Sequence, residues 1–327
     1  MEFRLELEPK AFPVKLGHRD NIMLMGSCFT EQMGSKLSAY RFSTIENPHG
    51  ILFNPVSICK ALIAYMESKE YATEDLFYFN ERWSSWDHHS RFSNMSQTEA
   101  LDMINHAREA ATAFLQQADW LILTLGSAFV YELENGRQVA NCHKVPTDQF
   151  RKKLLSIEET LSALDNLIHR LFIFNPGLKI IFTISPVRHL RDGFVENNRS
   201  KSVLIQSTHR LVEKFEKLYY FPAYELVIDD LRDYRFYAED MVHPNYLATD
   251  YVWEKFRQAC IEPQAGSLFA ELDRINLARR HKPFHPETEQ HQRFLRKTIE
   301  KIQDLKKLYP YLDLGEEERW FINQLPV

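Results

Sequence analysis

An uninterrupted apolar run, Ile-Met-Leu-Met at residues 22–25, is followed directly by Gly26. Such a run is typical of a strand with both faces buried, as in a parallel sheet covered by helices. Ser27 and Cys28 follow the glycine, and Glu31 lies in what would be the first turn of a helix. The segment therefore predicts a strand–turn–helix unit that holds a hydroxyl and a thiol at the carboxyl edge of a sheet, where open α/β folds bind ligands. The alternative is structural: Ser27 caps the helix and Cys28 is a small apolar residue.

Further apolar runs alternate with segments of helical periodicity. The runs predict strands at residues 41–45, 120–125, 179–184 and 224–229. Apolar residues spaced three and four apart predict helices at residues 98–117, 157–171 and 197–218. This alternation is typical of βαβ units, so we expect a mainly parallel sheet with helices on both faces.

Three segments lie outside this alternation. Residues 129–133 and 138–141 flank an Asn-Gly pair and predict a β-hairpin, whereas residues 3–7 alternate as in a peripheral strand. Residues 71–95 are rich in aromatic side chains and predict an irregular insertion that covers either the core or a site.

The pattern changes near residue 263. Two charged helices are predicted at residues 265–280 and 287–308, so we divide the chain into a domain of residues 1–262 and a C-terminal helical extension of residues 263–327. This extension packs either on its own domain or on a partner.

Composition restricts the class of protein. Of the 327 residues 44% are hydrophobic, enough for a large core. Lys and Arg number 40 against 45 Asp and Glu, with no long block of one sign, which argues against nucleic-acid binding. No apolar run is long enough for a membrane span, the first residues do not resemble a secretion signal, and four scattered cysteines suggest reduced thiols. We therefore expect a cytoplasmic protein without a cofactor or metal.

A second candidate for chemistry lies late in the chain. Asp240 and His243 are three residues apart, so the carboxylate can bond one imidazole nitrogen and leave the other free as a base. Pro244 keeps His243 out of helical geometry and is suited to precede the next helix. This segment follows the last predicted strand, just as Ser27 and Cys28 follow the first.

The chain resembles the GSCFA family. The first motif reads Gly-Ser-Cys-Phe-Thr at residues 26–30, with Thr30 where the family name has Ala, and the resemblance covers roughly residues 20 to 260. The other matching motifs lie at residues 47–50, 89–92, 141–144, 185–189 and 240–244. The family is in turn similar to the SGNH (GDSL-like) hydrolases, which implies a three-layer α/β/α sandwich with a flavodoxin-like, mainly parallel sheet.

The SGNH pattern implies roles for individual residues. Aligned without a gap, its nucleophile position falls on Cys28, and a shift of one residue places Ser27 there instead. Its Asp-x-x-His block matches Asp240 and His243, and a backbone N–H of Gly50 fits the oxyanion hole. The Gly-x-Asn block lacks its Asn, and the candidate replacements are Asn141, His143 and Ser127. The residues expected on the substrate side, which suit a polar, anionic or sugar-like ligand, are His89, Arg91, Arg188, His189, Asn198 and Arg199.

The resemblance implies ester hydrolysis through an acyl-enzyme, on a small-molecule or saccharide acyl ester. Two alternatives stay open, namely an acyltransferase that passes the acyl group to a saccharide hydroxyl, and a non-catalytic binding module on the same fold. A zinc site formed by Cys28, Cys142, His143 and His243 is a third alternative, which the ligand spacing does not favour.

Overall fold

The computed structural model describes residues 4–325. Its strands are β1 (Asn21–Gly26), β2 (Ser43–Glu46), β3 (Leu76–Phe79), β4 (Arg82–Ser85), β5 (Trp120–Leu125), β6 (Phe129–Leu133), β7 (Gln138–Val139), β8 (Phe150–Leu154), β9 (Lys179–Ile184) and β10 (Leu218–Tyr220). Its helices are α1 (Cys28–Ala39), α2 (Pro55–Met66), α3 (Gln97–Gln116), α4 (Ile157–Phe174), α5 (Gly193–Lys214), α6 (Ala223–Glu225), α7 (Tyr246–Cys260), α8 (Gly266–Arg280), α9 (Glu289–Leu308) and α10 (Gly315–Ile322).

The central sheet is parallel and has the strand order β10-β9-β5-β1-β2. Counted along the chain, this is the 2-1-3-4-5 order of flavodoxin-like folds, whose ligands bind where the order reverses. That switch point lies between β1 and β5, where Gly26 pairs with Thr124. The predicted parallel α/β/α sandwich is thus confirmed, and the β1–α1 turn lies at this switch point.

The apolar run of β1 separates two helical layers. Ile22 and Leu24 pack with α1, α7 and the C-terminal helices, whereas Met23 and Met25 pack with α2, α3, α4 and α5. All four residues are fully buried. Burial on both faces explains why this strand is continuously apolar instead of alternating.

The predicted strand at residues 224–229 is wrong. The last strand of the sheet is β10, and the chain then forms α6 and a π-helical turn at Leu226–Leu231. The buried residues of this stretch include Ala223, Leu226 and Val227, which are spaced three and four apart and pack on the core as one helical face. A short apolar run does not distinguish a strand from a buried helical turn.

The N-terminal segment is held by charges. Phe3 lies outside the described residues, and residues 4–7 form no strand. The Lys255 ammonium, almost buried on α7, donates to carboxylates of Glu6 and Glu8 at 2.6 Å each. Ion pairs with a helix therefore replace the predicted strand pairing.

The other irregular predictions are partly confirmed. The Asn-Gly hairpin forms between β6 and β7, and β8 adds a third antiparallel strand that was not predicted. The aromatic insertion contains the β3–β4 hairpin, and its Phe77 ring stacks on Trp86 with centroids 3.6 Å apart.

The C-terminal helices pack on the chain's own core. The apolar stripe of α9 and the buried face of α8 belong to the same cluster as Leu37 of α1 and Phe256 of α7. No helix within residues 4–325 combines the length and apolar character that a membrane crossing needs.

Glu317 of α10 is buried against two arginines, and this arrangement gives a stability prediction. Its carboxylate pairs with Arg41 and, at 3.3 Å, with Arg279, and its side chain is 1% exposed. We expect Glu317→Gln to lower the free energy of unfolding by about 3 kcal/mol, because two partly buried guanidinium groups lose the buried carboxylate that pairs with them. Urea unfolding followed by circular dichroism measures the loss.

The matched control is Glu316→Gln, which removes a carboxylate from the adjacent, exposed position that also binds Arg279. This variant should unfold close to the wild-type midpoint. Equal midpoints for both variants would contradict a stabilising role for the buried pair.

Candidate active site

The turn between β1 and α1 requires glycine. Gly26 has φ +144°, and a Cβ atom there would lie 2.2 Å from the Thr124 carbonyl oxygen of the neighbouring strand. Its N–H donates to Asn47 Oδ1 at 2.8 Å, which closes the turn from the β2 side. The chain therefore leaves β1 in close contact with the ends of both adjacent strands.

Ser27 and Cys28 differ in their access to solvent. Ser27 is the N-cap of α1 and is fully buried, and its Oγ has no hydrogen-bond partner among the described residues. Cys28 is the first residue of the helix and is partly exposed. Burial raises the pKa of its thiol, while the N–H groups of Cys28 and Phe29 at the helix amino end lower that pKa in part.

Asp240 and His243 form a bonded pair. His243 Nδ1–H donates to Asp240 Oδ2 at 2.7 Å, and the N–H groups of Val242 and His243 donate to Asp240 Oδ1 at 2.9 and 3.0 Å. These backbone hydrogen bonds, and to a smaller extent the imidazole, lower the Asp240 pKa to about 2. The carboxylate therefore stays ionised at neutral pH and fixes the tautomer in which His243 Nε2 carries a free lone pair.

His189 connects this pair with the first turn. The N–H of Arg188, just before it, donates to the Val242 carbonyl at 3.3 Å, which ties the segment after β9 to the loop of His243. A Cβ atom on Gly126 would lie 3.3 Å from both His189 Nε2 and Ser27 Cβ. Burial is the main cause that lowers the His189 pKa to about 4, and the charges of Lys201 and His243 contribute less. His189 is thus a neutral imidazole between the turn and the Asp240–His243 pair.

Lys201 of α5, which the sequence analysis did not single out, lies beneath this edge. It is 2% exposed, and its Nζ donates to the carbonyl oxygens of Gly126 at 2.7 Å and Ser185 at 2.6 Å, so it joins the carboxyl ends of β5 and β9. Burial lowers its pKa to about 7, and the neighbouring Cys28 acts in the opposite direction. Both forms of the amine supply the two N–H donors that these carbonyls need.

The predicted oxyanion residues are engaged in loop structure. The Gly50 N–H donates to the Asn47 carbonyl at 2.6 Å. Ser127 Oγ accepts from the Phe129 N–H at 3.1 Å, and Asn141 Oδ1 accepts from the His143 N–H at 2.9 Å. His143 Nε2 in turn donates to the Ser85 carbonyl at 2.8 Å.

Asn47 offers a donor that the sequence analysis missed. Its Oδ1 is taken by the Gly26 N–H, whereas its Nδ2 is buried and has no partner among the described residues. The residue stands at φ +43°, and its position at the head of the Asn-Pro-His-Gly motif was the available signal. A free amide therefore lies beside the turn that carries Ser27 and Cys28.

The remaining predicted residues surround the edge in two groups. On the β2 side, Arg91 donates to the Asn47 carbonyl and lies 4.0 Å from the Glu31 carboxylate, and His89 Nδ1 accepts from the Arg91 N–H. On the other side, the Arg188 guanidinium covers the Tyr237 ring at 4.2 Å.

Two predicted residues on α5 point to solvent. Asn198 Oδ1 accepts from Asn197 Nδ2 at 3.2 Å, and Arg199 binds both carboxylate oxygens of Glu196 at 3.0 Å. Both residues are exposed. As for zinc, residues 4–325 contain no group of three or more His, Cys, Asp or Glu side chains arranged to hold a metal ion.

The Lys201 contacts generate a prediction on stability. We expect Lys201→Met to lower the free energy of unfolding by about 2–4 kcal/mol at alkaline pH, because two buried carbonyl oxygens lose their donors. Lys214→Met is the matched control, since this lysine of the same helix is half-exposed and pairs only with surface Asp165. It should change stability by less than about 1 kcal/mol.

The difference in stability between wild type and Lys201→Met should depend on pH, in the direction set by the lowered pKa of Lys201. The folded pKa of about 7 lies below the ordinary 10.5, so between these values the unfolded state binds more protons. The advantage of wild type over Lys201→Met should therefore grow as the pH rises from about 7, by at most about 1.4 kcal/mol per pH unit. Denaturant titrations at several pH values test this, and a pH-independent difference would contradict the lowered pKa.

Comparisons with known proteins place the chain in a family. Residues 21–256 match the GSCFA family, and residues 272–327 match the C-terminal domain of GSCFA domain proteins. No curated protein matches the chain. A solved structure from Streptococcus pneumonia, whose description gives platelet activating factor as a provisional name, has a TM-score of 0.38 and 10% identity, over 73% of this chain and 83% of that chain. Because the first family match covers well over half of its length, the chain belongs to the GSCFA family.

Proposed function

We propose that this protein is an ester hydrolase that works through an acyl-enzyme, with Cys28 as nucleophile and the Asp240–His243 pair as its base. The observation that carries the proposal is the bonded pair itself. Asp240 holds Nδ1 of His243 at 2.7 Å and leaves Nε2 free, on a loop tied to the ligand-binding edge of the sheet. Acyl transfer requires a carboxylate-oriented imidazole as base and a nucleophile that it can deprotonate, and we assign these roles to His243 and Cys28.

Cys28 suits the nucleophile role better than Ser27. The serine is fully buried, whereas the thiol is partly exposed and faces the amino end of α1. Burial keeps the thiol protonated in the resting protein, so a base must remove its proton during attack. The positive charge of protonated Lys201 favours the Cys28 thiolate and lowers the pKa of the thiol.

The reaction then proceeds in two balanced steps. His243 Nε2 takes the thiol proton while Cys28 Sγ bonds to the ester carbonyl carbon, and the collapse of the tetrahedral intermediate breaks the ester C–O bond. The imidazolium gives its proton to the leaving alcohol. Water, deprotonated by the same imidazole, attacks the thioester, releases the acid and restores the thiol.

Asn47 is our candidate for the donor that replaces the absent Asn of the Gly-x-Asn block. Its Nδ2 is buried and unpartnered in the described part of the chain, and its Oδ1 accepts the Gly26 N–H of the β1–α1 turn. The free N–H groups at the start of α1 complete the oxyanion hole. The Gly50 N–H, by contrast, is already bonded to Asn47.

Two broader features support this proposal. The 2-1-3-4-5 sheet order and the Asp-x-x-His block suit an SGNH-like hydrolase, and the polar edge suits a small-molecule or saccharide acyl ester. All four cysteines are free thiols, which suits a reducing compartment such as the cytoplasm.

The decisive test is hydrolysis of p-nitrophenyl acetate. Wild type should release p-nitrophenol, whereas Cys28→Ala should lose this activity and His243→Ala should lower kcat/KM by about a hundredfold or more. Mass spectrometry after rapid acid quenching should find the acetyl group on the peptide that contains Cys28. Saccharide acceptors added to the assay distinguish hydrolysis from acyl transfer, since an acyl sugar product identifies a transferase.

Cys142→Ala is the control, because it removes the other partly exposed thiol and leaves the β1–α1 turn and the Asp240–His243 pair unchanged. It should retain wild-type kinetics. Full activity in Cys28→Ala with loss in Ser27→Ala would assign the attack to Ser27, and an inactive wild type towards all aryl esters would favour a non-catalytic binding module.

The proposed donor has its own prediction. Asn47→Asp keeps the oxygen that accepts the Gly26 N–H but removes the Nδ2 donor and adds negative charge. We expect kcat to fall by about a hundredfold with little change in KM, as for other lost oxyanion donors. Circular dichroism confirms that the fold is intact, and an unchanged kcat would exclude Asn47 from the oxyanion hole.

A further inference from the structure

A polar cleft of about 460 Å³ lies between the aromatic insertion and the loop after β7. Its lining residues, which we call the basic cleft, are Phe79, Asn80, Arg82, Ser84, Ser90, Ser93, Asn141, His143 and Lys144. The volume lies in the range of small-ligand sites.

Within residues 4–325, the cleft is lined by positively charged side chains and by no acidic ones. Arg82 and Lys144 are exposed cations, and neither forms an ion pair with a carboxylate among the described residues. No acidic residue lines the cleft, although the chain as a whole carries a net charge of −5. The local positive potential is therefore a property of the cleft and not of a generally basic surface.

Hydrogen-bond donors accompany the two cations. Ser84 is almost buried in the wall, and its Oγ lies 2.8 Å from Ser93 Oγ. Ser90 and Asn141 add a hydroxyl and an amide. The Ser84–Ser93 bond uses one hydroxyl proton. The guanidinium, the ammonium, the amide and the two remaining hydroxyl donors still exceed what the two oxygens of a carboxylate accept, and they match the several oxygens of a phosphate.

The backbone holds the second cation in place. His143 and Lys144 both have positive φ, of +50° and +61°. The His143 ring anchors this turn because its Nε2 donates to the Ser85 carbonyl at the end of β4. Backbone of this kind persists only where its surroundings enforce it, and here it presents Lys144 to the cleft.

The cleft adjoins the proposed catalytic edge. Ser90 belongs to a short 3₁₀ turn, Ser90–Phe92, which His89 precedes. Arg91 of the same turn donates to the Asn47 carbonyl and lies 4.0 Å from Glu31 of α1. One rigid turn therefore links the cleft to the helix that begins with Cys28.

From this cleft we infer that the substrate carries a phosphate group, and that Arg82 and Lys144 bind it while the acyl ester lies at the catalytic edge. The inference rests on the proposed function for its catalytic part. Phosphate binding itself is independent of catalysis. The substrate class is thus an acyl ester of a phosphorylated alcohol, such as a phosphorylated sugar.

Binding is tested on full-length Cys28→Ala, which cannot turn over an ester. Isothermal titration should show that glucose 6-phosphate and inorganic phosphate bind, that glucose does not, and that citrate binds more weakly. Adding Arg82→Gln and Lys144→Gln should weaken phosphate binding by about tenfold or more. Binding should also weaken as the salt concentration rises.

The matched control removes one arginine and one lysine elsewhere, as Arg296→Gln with Lys297→Gln on the exposed face of α9. Its phosphate affinity should equal that of the parent. Equal affinities in the cleft variant and the parent, tighter binding of citrate than of phosphate, or no phosphate binding at all would each overturn the inference.

Steady-state kinetics distinguish a failure of the phosphate-binding inference from a failure of the proposed esterase function. In otherwise wild-type protein, Arg82→Gln with Lys144→Gln should leave kcat/KM for neutral p-nitrophenyl acetate unchanged and raise KM for an acetylated sugar phosphate about tenfold. An inactive wild type that still binds phosphate would refute the esterase and keep the cleft, because the titration does not depend on turnover.

Discussion

One buried side chain, Lys201, bonds to carbonyl groups at the carboxyl ends of both β5 and β9. Strand-end carbonyls at a switch point have left the ladder and need other donors, which Lys201 supplies to Gly126 and Ser185. Burying an amine is unfavourable, and its lowered pKa reflects this cost. The β1–α1 turn packs against Gly126, and His189 follows Ser185 by four residues. Both sides of the proposed site therefore extend from strand ends whose carbonyl groups Lys201 satisfies.

The parts of the fold that the sequence predicts are those with a local cause. Residues 22–25 and 180–182 are continuously apolar because both faces of their strands are buried, and this leaves an unambiguous pattern. Residues 224–229 contain a similar apolar run at residues 226–228 but pack through a single helical face, which so short a run does not reveal. The N-terminal segment was mispredicted because Lys255, nearly 250 positions later, determines its path.

The candidate site likewise contains residues that the sequence predicts and residues that it does not. The Asp240–His243 pair was predictable because its two residues are three apart and bond within one loop. Lys201 was not, since it lies 75 positions from Gly126 and looks like any charged residue of an amphipathic helix. Asn47 belongs to the Asn-Pro-His-Gly motif, which predicts a loop because of its Pro and Gly. The motif gives no sign that the Asn47 amide is left without a partner. Long-range polar contacts leave no periodicity, so only the fold reveals them.

The position of α1 joins the two family segments into one folding unit. Its first residue, Cys28, lies at the carboxyl edge of the sheet, whereas Leu37 and the following Tyr40 are covered by α8 and its neighbours. Without residues 263–327 this end of the helix would present a continuous apolar ridge to water, which favours aggregation. Replacing the C-terminal segment with an unrelated one would thus uncover the end of α1 that lies opposite Cys28. We therefore expect the two segments to be inherited together.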